Sequence, residues 1–306
     1  FCAGGLTSLM AKKTGLKEGT HISVSSIDAH VGVPAVGIKE EGTLLLVMGT
    51  SLCHLLISKR EVLLDGISGV VKDGILPGFY GYEAGQAAVG DIYEWFVTNM
   101  VNYEYMNEAL RRNINIYDLM DEKAAQLRPG ENGIIALDWW NGNRSMLANS
   151  NLSGLLVGMN LTTKPEAIYR AIIEATAFGS RLIINSFAAS GVVIERIYAC
   201  GGLSRKSPFT MQIFSDILGK EIYVTASNQT ASIGAAMYGA VAAGKANGGY
   251  ADIFEAMENM SSEVKTIFYP NIEHRAVYNE LYAQYCRLHD FFGKSDLGIM
   301  TALSKL

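Results

Sequence analysis

The chain has 306 residues, 49% hydrophobic and 18% charged, which is enough to bury one large core or two modest ones and lies outside the composition of disordered chains. A formal net charge of −5 and a pI near 5.6 argue against a dedicated nucleic-acid or anionic-membrane surface. The longest apolar runs, such as Leu44–Met48 and Ile134–Leu137, are too short to cross a bilayer.

The opening residues, Phe1-Cys2-Ala3-Gly4-Gly5, lack the basic stretch that begins a secretion signal, and a chain starting on Phe is expected to be a fragment of a longer product. Cys2, Cys53, Cys200 and Cys286 are far apart and form no CxxC pair. They read as reduced thiols of a cytoplasmic protein, with no zinc site.

After a short leader, Ile22–Val24 is extended and leads into Ile27-Asp28-Ala29-His30, followed by small apolar residues up to Gly37. Thr43–Met48 predicts a buried strand, Gly49-Thr50-Ser51 a turn, and Leu52–Ser58 the return strand of a hairpin. Phe79-Tyr80-Gly81-Tyr82 predicts a third short strand, and 84–100 a helix with Ala88, Ile92, Trp95 and Phe96 on one face. Residues 102–160 are the least regular, with turns at Arg128-Pro129-Gly130 and Asn141-Gly142-Asn143. Thr163-Lys164-Pro165-Glu166 reads as a capping box opening a long helix. Its apolar positions, from Ile168 to Phe187, repeat at helical spacing. Strand 196–200, helix 208–219, strand 221–225 and helix 232–244 follow, and the chain closes on an aromatic-rich helix from 272 with a loose tail. A hairpin and third strand followed by α-β-α-β-α is the order of a ribonuclease-H-like, actin-type α/β lobe, with 102–160 as an irregular insertion.

Several chemistries are excluded by motif. There is no P-loop, no G-x-G-x-x-G, no G-x-S-x-G elbow and no H-E-x-x-H, and the five histidines are scattered. What remains is a set of individually weak signals. Gly49-Thr50-Ser51 at a hairpin tip offers backbone amides and two hydroxyls to a phosphate, or is an ordinary turn. Gly201-Gly202 at a strand end, before a helix opened by Ser207-Pro208, admits a ligand ring or serves only to turn the chain. Asp28, after an extended segment and among small residues, suits a carboxylate that orients a hydroxyl for phosphoryl transfer, or caps a helix. Glu83 suits sugar hydroxyls or begins a helix, and His30 reads as a local hydrogen-bonding residue. Gly234-Ala235-Ala236 with Gly239 reads as close helix–sheet packing, and Trp139-Trp140 as an aromatic anchor under the insertion.

Together and in this order, these segments resemble the C-terminal half of the FGGY carbohydrate kinases. Gly49-Thr50-Ser51 is similar to that family's phosphate turn. The run from Gly201-Gly202 through Met211-Gln212, Ser215-Asp216 and Gly219 is similar to its adenosine signature, and Gly234-Ala235-Ala236 to its last small-residue helix. Ile27-Asp28-Ala29-His30-Val31, Tyr82-Glu83-Ala84-Gly85-Gln86 and Leu137-Asp138-Trp139-Trp140-Asn141-Gly142-Asn143-Arg144 resemble its ribulokinase branch. The resemblance implies ATP and Mg2+ as cofactors and transfer of the γ-phosphate to a terminal hydroxyl of a ketopentose such as L-ribulose, with other pentulose or polyol kinases as the neighbouring reading. A non-catalytic nucleotide-binding module is the other class left open.

By the same resemblance Asp28 is the catalytic base and Glu83 contacts the sugar. Gly49, Thr50 and Ser51 hold the γ-phosphate region, while Gly201, Gly202 and Ser204 lie near the adenosine. No protein metal ligand is assigned. Arg205-Lys206-Ser207 stands where glycerol kinases place an adenine-contacting asparagine. Residues 1–20 are then a leader from between two lobes and 21–306 the nucleotide-binding lobe. The expected partner is an N-terminal lobe carrying an Asp-x-Gly-Thr turn and much of the sugar pocket, and self-association is left open.

Overall fold

The computed structural model describes residues 2–24, 26–295 and 298–305. The chain opens with β1 (Cys2–Gly5), α1 (Ser8–Thr14), β2 (His21–Ser23) and the short α2 (Gly32–Ala35). Next come β3 (Thr43–Met48), β4 (Leu52–Ser58), β5 (Gly69–Lys72), β6 (Tyr80–Gln86), α3 (Gly90–Met100), α4 (Tyr103–Arg112) and α5 (Ile116–Ala125). A small hairpin of β7 (Ile135–Leu137) and β8 (Leu155–Val157) precedes the 25-residue α6 (Pro165–Ala189). The remainder is β9 (Arg196–Cys200), α7 (Gly202–Lys206), α8 (Pro208–Leu218), β10 (Ile222–Thr225), α9 (Thr230–Ala243), α10 (Ile253–Met260), β11 (Val264–Phe268), α11 (Arg275–Lys294) and α12 (Ile299–Leu303).

Seven strands form one sheet in the order β11-β10-β9-β3-β4-β6-β5. β3, β4 and β6 are antiparallel neighbours, while β9 lies parallel to both β3 and β10. This is the ribonuclease-H-like order expected from the sequence, extended by β5 at one edge and the antiparallel β11 at the other. The reason is visible in β3 and β4. Leu44, Leu46 and Met48 pack into the core under α3, α6 and α8, whereas Leu45, with Leu55 and Ile57 of β4, packs under α2, α9 and α10. Because strand side chains alternate, a continuous aliphatic run needs helices on both faces of the sheet. Each fully buried leucine contributes about 1.5–3 kcal/mol toward that arrangement.

Several local expectations change. The third strand runs to Gln86, so Glu83 sits mid-strand opposite Leu55 instead of opening a helix. The helix starts at Gly90 and buries Ile92, Tyr93, Phe96 and Val97, while Trp95 stays 38% exposed and rests against Trp140. Within 102–160, α4 and α5 supply regular structure, each capped by an asparagine, Asn102 and Asn115. No capping box forms at α6. Lys164 stands at the cap without a side-chain bond, Thr163 Oγ1 accepts from the Asn160 amide, and Glu166 accepts from the Tyr105 hydroxyl. Ser207 caps α8 as expected, but α7, opened by Gly202 itself, stands between it and Gly201. Gly234 does permit a close approach, though to the Val31 carbonyl at the start of α2 and not to the sheet, and Ala235 and Ala236 are exposed. After α11 the tail forms α12, anchored by the buried Met300, whose sulfur accepts from the Ser153 amide.

Candidate active site

The hairpin tip between β3 and β4 divides the site into two halves. In the turn, the Gly49 amide donates to the Ser51 carbonyl at 2.9 Å. The carbonyls of Gly49 and Thr50 accept from the amides of Val89, Gly90 and Asp91 at the start of α3. With those carbonyls tied down, the turn itself presents the amides and hydroxyls of Thr50 and Ser51 to an anion. Gly49 itself serves the turn.

On the α3 side of the tip lies a cleft of about 500 Å³, lined by Gly49, Thr50, Gly90, Asp91, Tyr117, Asp118, Asp121, Gly202, Leu203 and Lys206, among others. Gly201 and Gly202 have different parts to play. Gly201 adopts φ +100°, and a Cβ there would lie 2.3 Å from the Met48 carbonyl oxygen. Gly202 opens α7 onto empty space, with nothing within 4 Å of an added Cβ. Ser204 is buried and donates to the Gly201 carbonyl at 3.0 Å, bracing the glycine pair without facing the cleft. Ser51 also lies outside the lining, whereas Gly49, Thr50 and Gly202 converge on it.

Sequence reasoning missed the far wall of this cleft, which comes from α5. Asp121 accepts from the hydroxyls of Tyr169 and Ser207, at 3.1 and 2.6 Å, and so ties α5 to α6 and to the cap of α8. Burial pushes the Asp121 carboxyl up, and those two donors counter only part of the effect. The pairing spans 86 residues for Ser207 and leaves no local pattern to read.

The second half is a charged corner on the opposite face of the sheet. Glu83, on β6, takes His30 Nε2 at 2.9 Å on one carboxylate oxygen and Arg144 Nη2 on the other. Arg144 Nη1 also donates to Cys53 Sγ at 3.7 Å. The His30 hydrogen bond, and after it Arg144, hold the Glu83 carboxyl below its usual range despite partial burial. Burial pushes the Cys53 thiol up, which keeps it protonated, and Asp28 is within electrostatic reach of that sulfur. Asp28 is exposed and accepts from the Ala29 amide at 2.8 Å. Glu83 is thus joined to His30, two residues beyond Asp28, and to Arg144, which also reaches Cys53. His54, next in sequence, faces the other core. It is fully buried with both ring nitrogens unpartnered among the described residues, and burial drives it down to about 3.

Among the described residues no three His, Cys, Asp or Glu side chains converge as a metal cage, and no helix is long and apolar enough to cross a membrane.

Residues 44–243 match the model of the FGGY family of carbohydrate kinases, C-terminal domain. A protein of Halalkalibacterium halodurans named Ribulokinase is 51% identical over 304 residues, covering 99% of this chain and 54% of that protein. Among solved structures, a gluconate kinase from Lactobacillus acidophilus superposes with a TM-score of 0.81 at 19% identity, over 96% of this chain and 56% of that one. A xylulose kinase from Rhodospirillum rubrum gives 0.78 at 23% identity, over 95% and 55%. The chain therefore spans about half the length of the curated relatives it matches. By its matched domain and its sheet order, it belongs to the FGGY family of carbohydrate kinases and has their actin-like ATPase fold.

Proposed function

We propose that this chain is the C-terminal, nucleotide-holding lobe of an ATP-dependent kinase that phosphorylates a terminal hydroxyl of L-ribulose. The observation that carries the reading is the pairing of a cleft beside the β3–β4 turn, on one face of the sheet, with the Glu83 corner of β6, which neighbours β4, on the other. Relatives named Ribulokinase at about half identity favour L-ribulose over the sugars in the names of the solved structures.

In this reading Asp28 aligns the acceptor hydroxyl and takes its proton as the new P–O bond forms. Glu83 accepts hydrogen bonds from sugar hydroxyls. Thr50 and Ser51 donate to the γ-phosphate, with Gly49 shaping the turn. Gly202 leaves room for the adenosine, and Gly201 and Ser204 fix the backbone that does so. Charge neutralisation on the phosphates would come from Mg2+. Such an ion keeps several waters and is held largely by the substrate's own phosphates, so Asp28 stays free to act as the base. An N-terminal lobe would close the other side, excluding water and completing the grip on the phosphates.

The test is a coupled ADP-release assay. Full-length protein containing this chain should release ADP when given L-ribulose and MgATP, and residues 1–306 alone should not. Sugar-dependent turnover by the isolated chain, or none with L-ribulose by the full-length protein, would refute the reading.

A further inference from the structure

We infer that Arg144 is a positioning residue for the sugar: reaching across Gly85, it locks Glu83 in one ionised orientation, together with His30. The inference deepens the reading above and rests on it for the identity of the ligand.

Three observations carry it. First, both oxygens of Glu83 are engaged by separate elements, His30 from the segment before α2 and Arg144 from the loop after β7. A carboxylate held at both ends cannot rotate, yet each oxygen keeps a lone pair for a ligand hydroxyl. Second, the path of Arg144 is built. A Cβ on Gly85 would lie 3.0 Å from Arg144 Nη1 and 2.8 Å from the Leu52 carbonyl, so a side chain there would crowd the guanidinium. The Gly85 amide, in turn, donates to Ser145 Oγ at 3.1 Å, fastening the loop beside it. Third, the assembly stays open to solvent, with side-chain exposures of 13% for His30, 20% for Glu83 and 35% for Arg144. A purely architectural ion pair on this chain looks different: Arg170 and Glu174 are 7% and 6% exposed, and Arg170 is further spent on the Ala124 and Leu127 carbonyls. The depressed Glu83 carboxyl agrees with the clamp.

Arginine suits this task because its planar fork reaches two acceptors at once, which a lysine ammonium does as a single point charge. Here one arm goes to Glu83 and the other to Cys53 Sγ. The charged and titratable groups acting on Glu83 are His30 and Arg144, with Cys53 beside them. From β5, on its other side, the opposing residue is Gly69, which adds none.

The experiment compares Arg144→Gln and Arg144→Lys with wild type. In the full-length enzyme Arg144→Gln should raise the KM for L-ribulose by about tenfold or more, the scale of one charge-assisted hydrogen bond, and leave the KM for ATP unchanged. Arg144→Lys should recover part of the loss. Because the lost cation stabilised the carboxylate, the Glu83 carboxyl followed by 13C NMR in residues 1–306 should titrate at higher pH in Arg144→Gln than in wild type. An active variant with wild-type sugar KM overturns the positioning role. A folded variant with an unchanged Glu83 titration overturns the clamp, whichever sugar the enzyme takes. Absence of L-ribulose turnover in the wild type would instead count against the proposed substrate, and the titration would still decide the clamp.

Discussion

The two halves of the site flank the same hairpin tip but are built from different materials. The charged corner is a set of side chains gathered from separated segments and tied by charge-assisted hydrogen bonds, such as Glu83 to His30 and to Arg144. The cleft sets small residues, Gly49, Thr50 and Gly202, against a wall from α3 and α5, the latter braced through Asp121. The contrast follows from what each half would bind. Sugar hydroxyls are discriminated by directional acceptors of fixed orientation, whereas phosphates and a flat base need amides and room.

The largest effect expected from breaking this division lies in the corner. Asp28→Asn keeps shape and removes basicity, so in the full-length enzyme kcat should fall by about 100-fold or more with ATP affinity nearly unchanged. Retention of more than about a tenth of kcat would remove Asp28 from the role of base.

In the cleft the adjacent glycines should respond in opposite ways. Gly202→Val places a side chain into open space, so thermal stability should hold while the KM for ATP rises far more than that for sugar. Gly201→Ala meets both the positive φ and the Met48 carbonyl, and should cost about 1–3 kcal/mol of stability from backbone strain alone. Thermal melts and paired KM measurements separate the two. Equal behaviour of both variants would erase the distinction between a ligand-facing and a structural glycine.

The smallest effect concerns pH. The folded Glu83 carboxyl lies below its ordinary value of 4.5. Its contribution to stability is therefore complete above that pH and is lost as pH falls through the lower, folded value. The stability gap between wild type and Glu83→Gln, measured by denaturant titration, should shrink as the solution is acidified below about 4.5. A gap that stays constant would mean that the pairing with His30 and Arg144 carries no net charge-dependent stabilisation.

How much of this was legible beforehand depended on the range of the interactions. The bounds of β3 and β4 follow from an aliphatic run, a Gly-Thr-Ser turn and a second run, all local signals. The order of strands and helices sufficed for the ribonuclease-H-like sheet, because crossover rules leave few ways to connect it. In the sequence, Trp139-Trp140 reads as an aromatic anchor under the insertion. Trp139 is indeed an anchor, fully buried, but the same segment also delivers Arg144 to a carboxylate 61 residues away.

The sequence by itself determined the α/β class, the hairpin with its phosphate-suited turn, and the family resemblance, since each rests on short-range pattern. Only the tertiary structure decided that Glu83 sits mid-strand, that α5 forms a wall of the cleft, and that Arg144 closes on Glu83 over Gly85. Those outcomes depend on which distant side chains the packed sheet brings within hydrogen-bond reach, and local propensity carries no record of that distance.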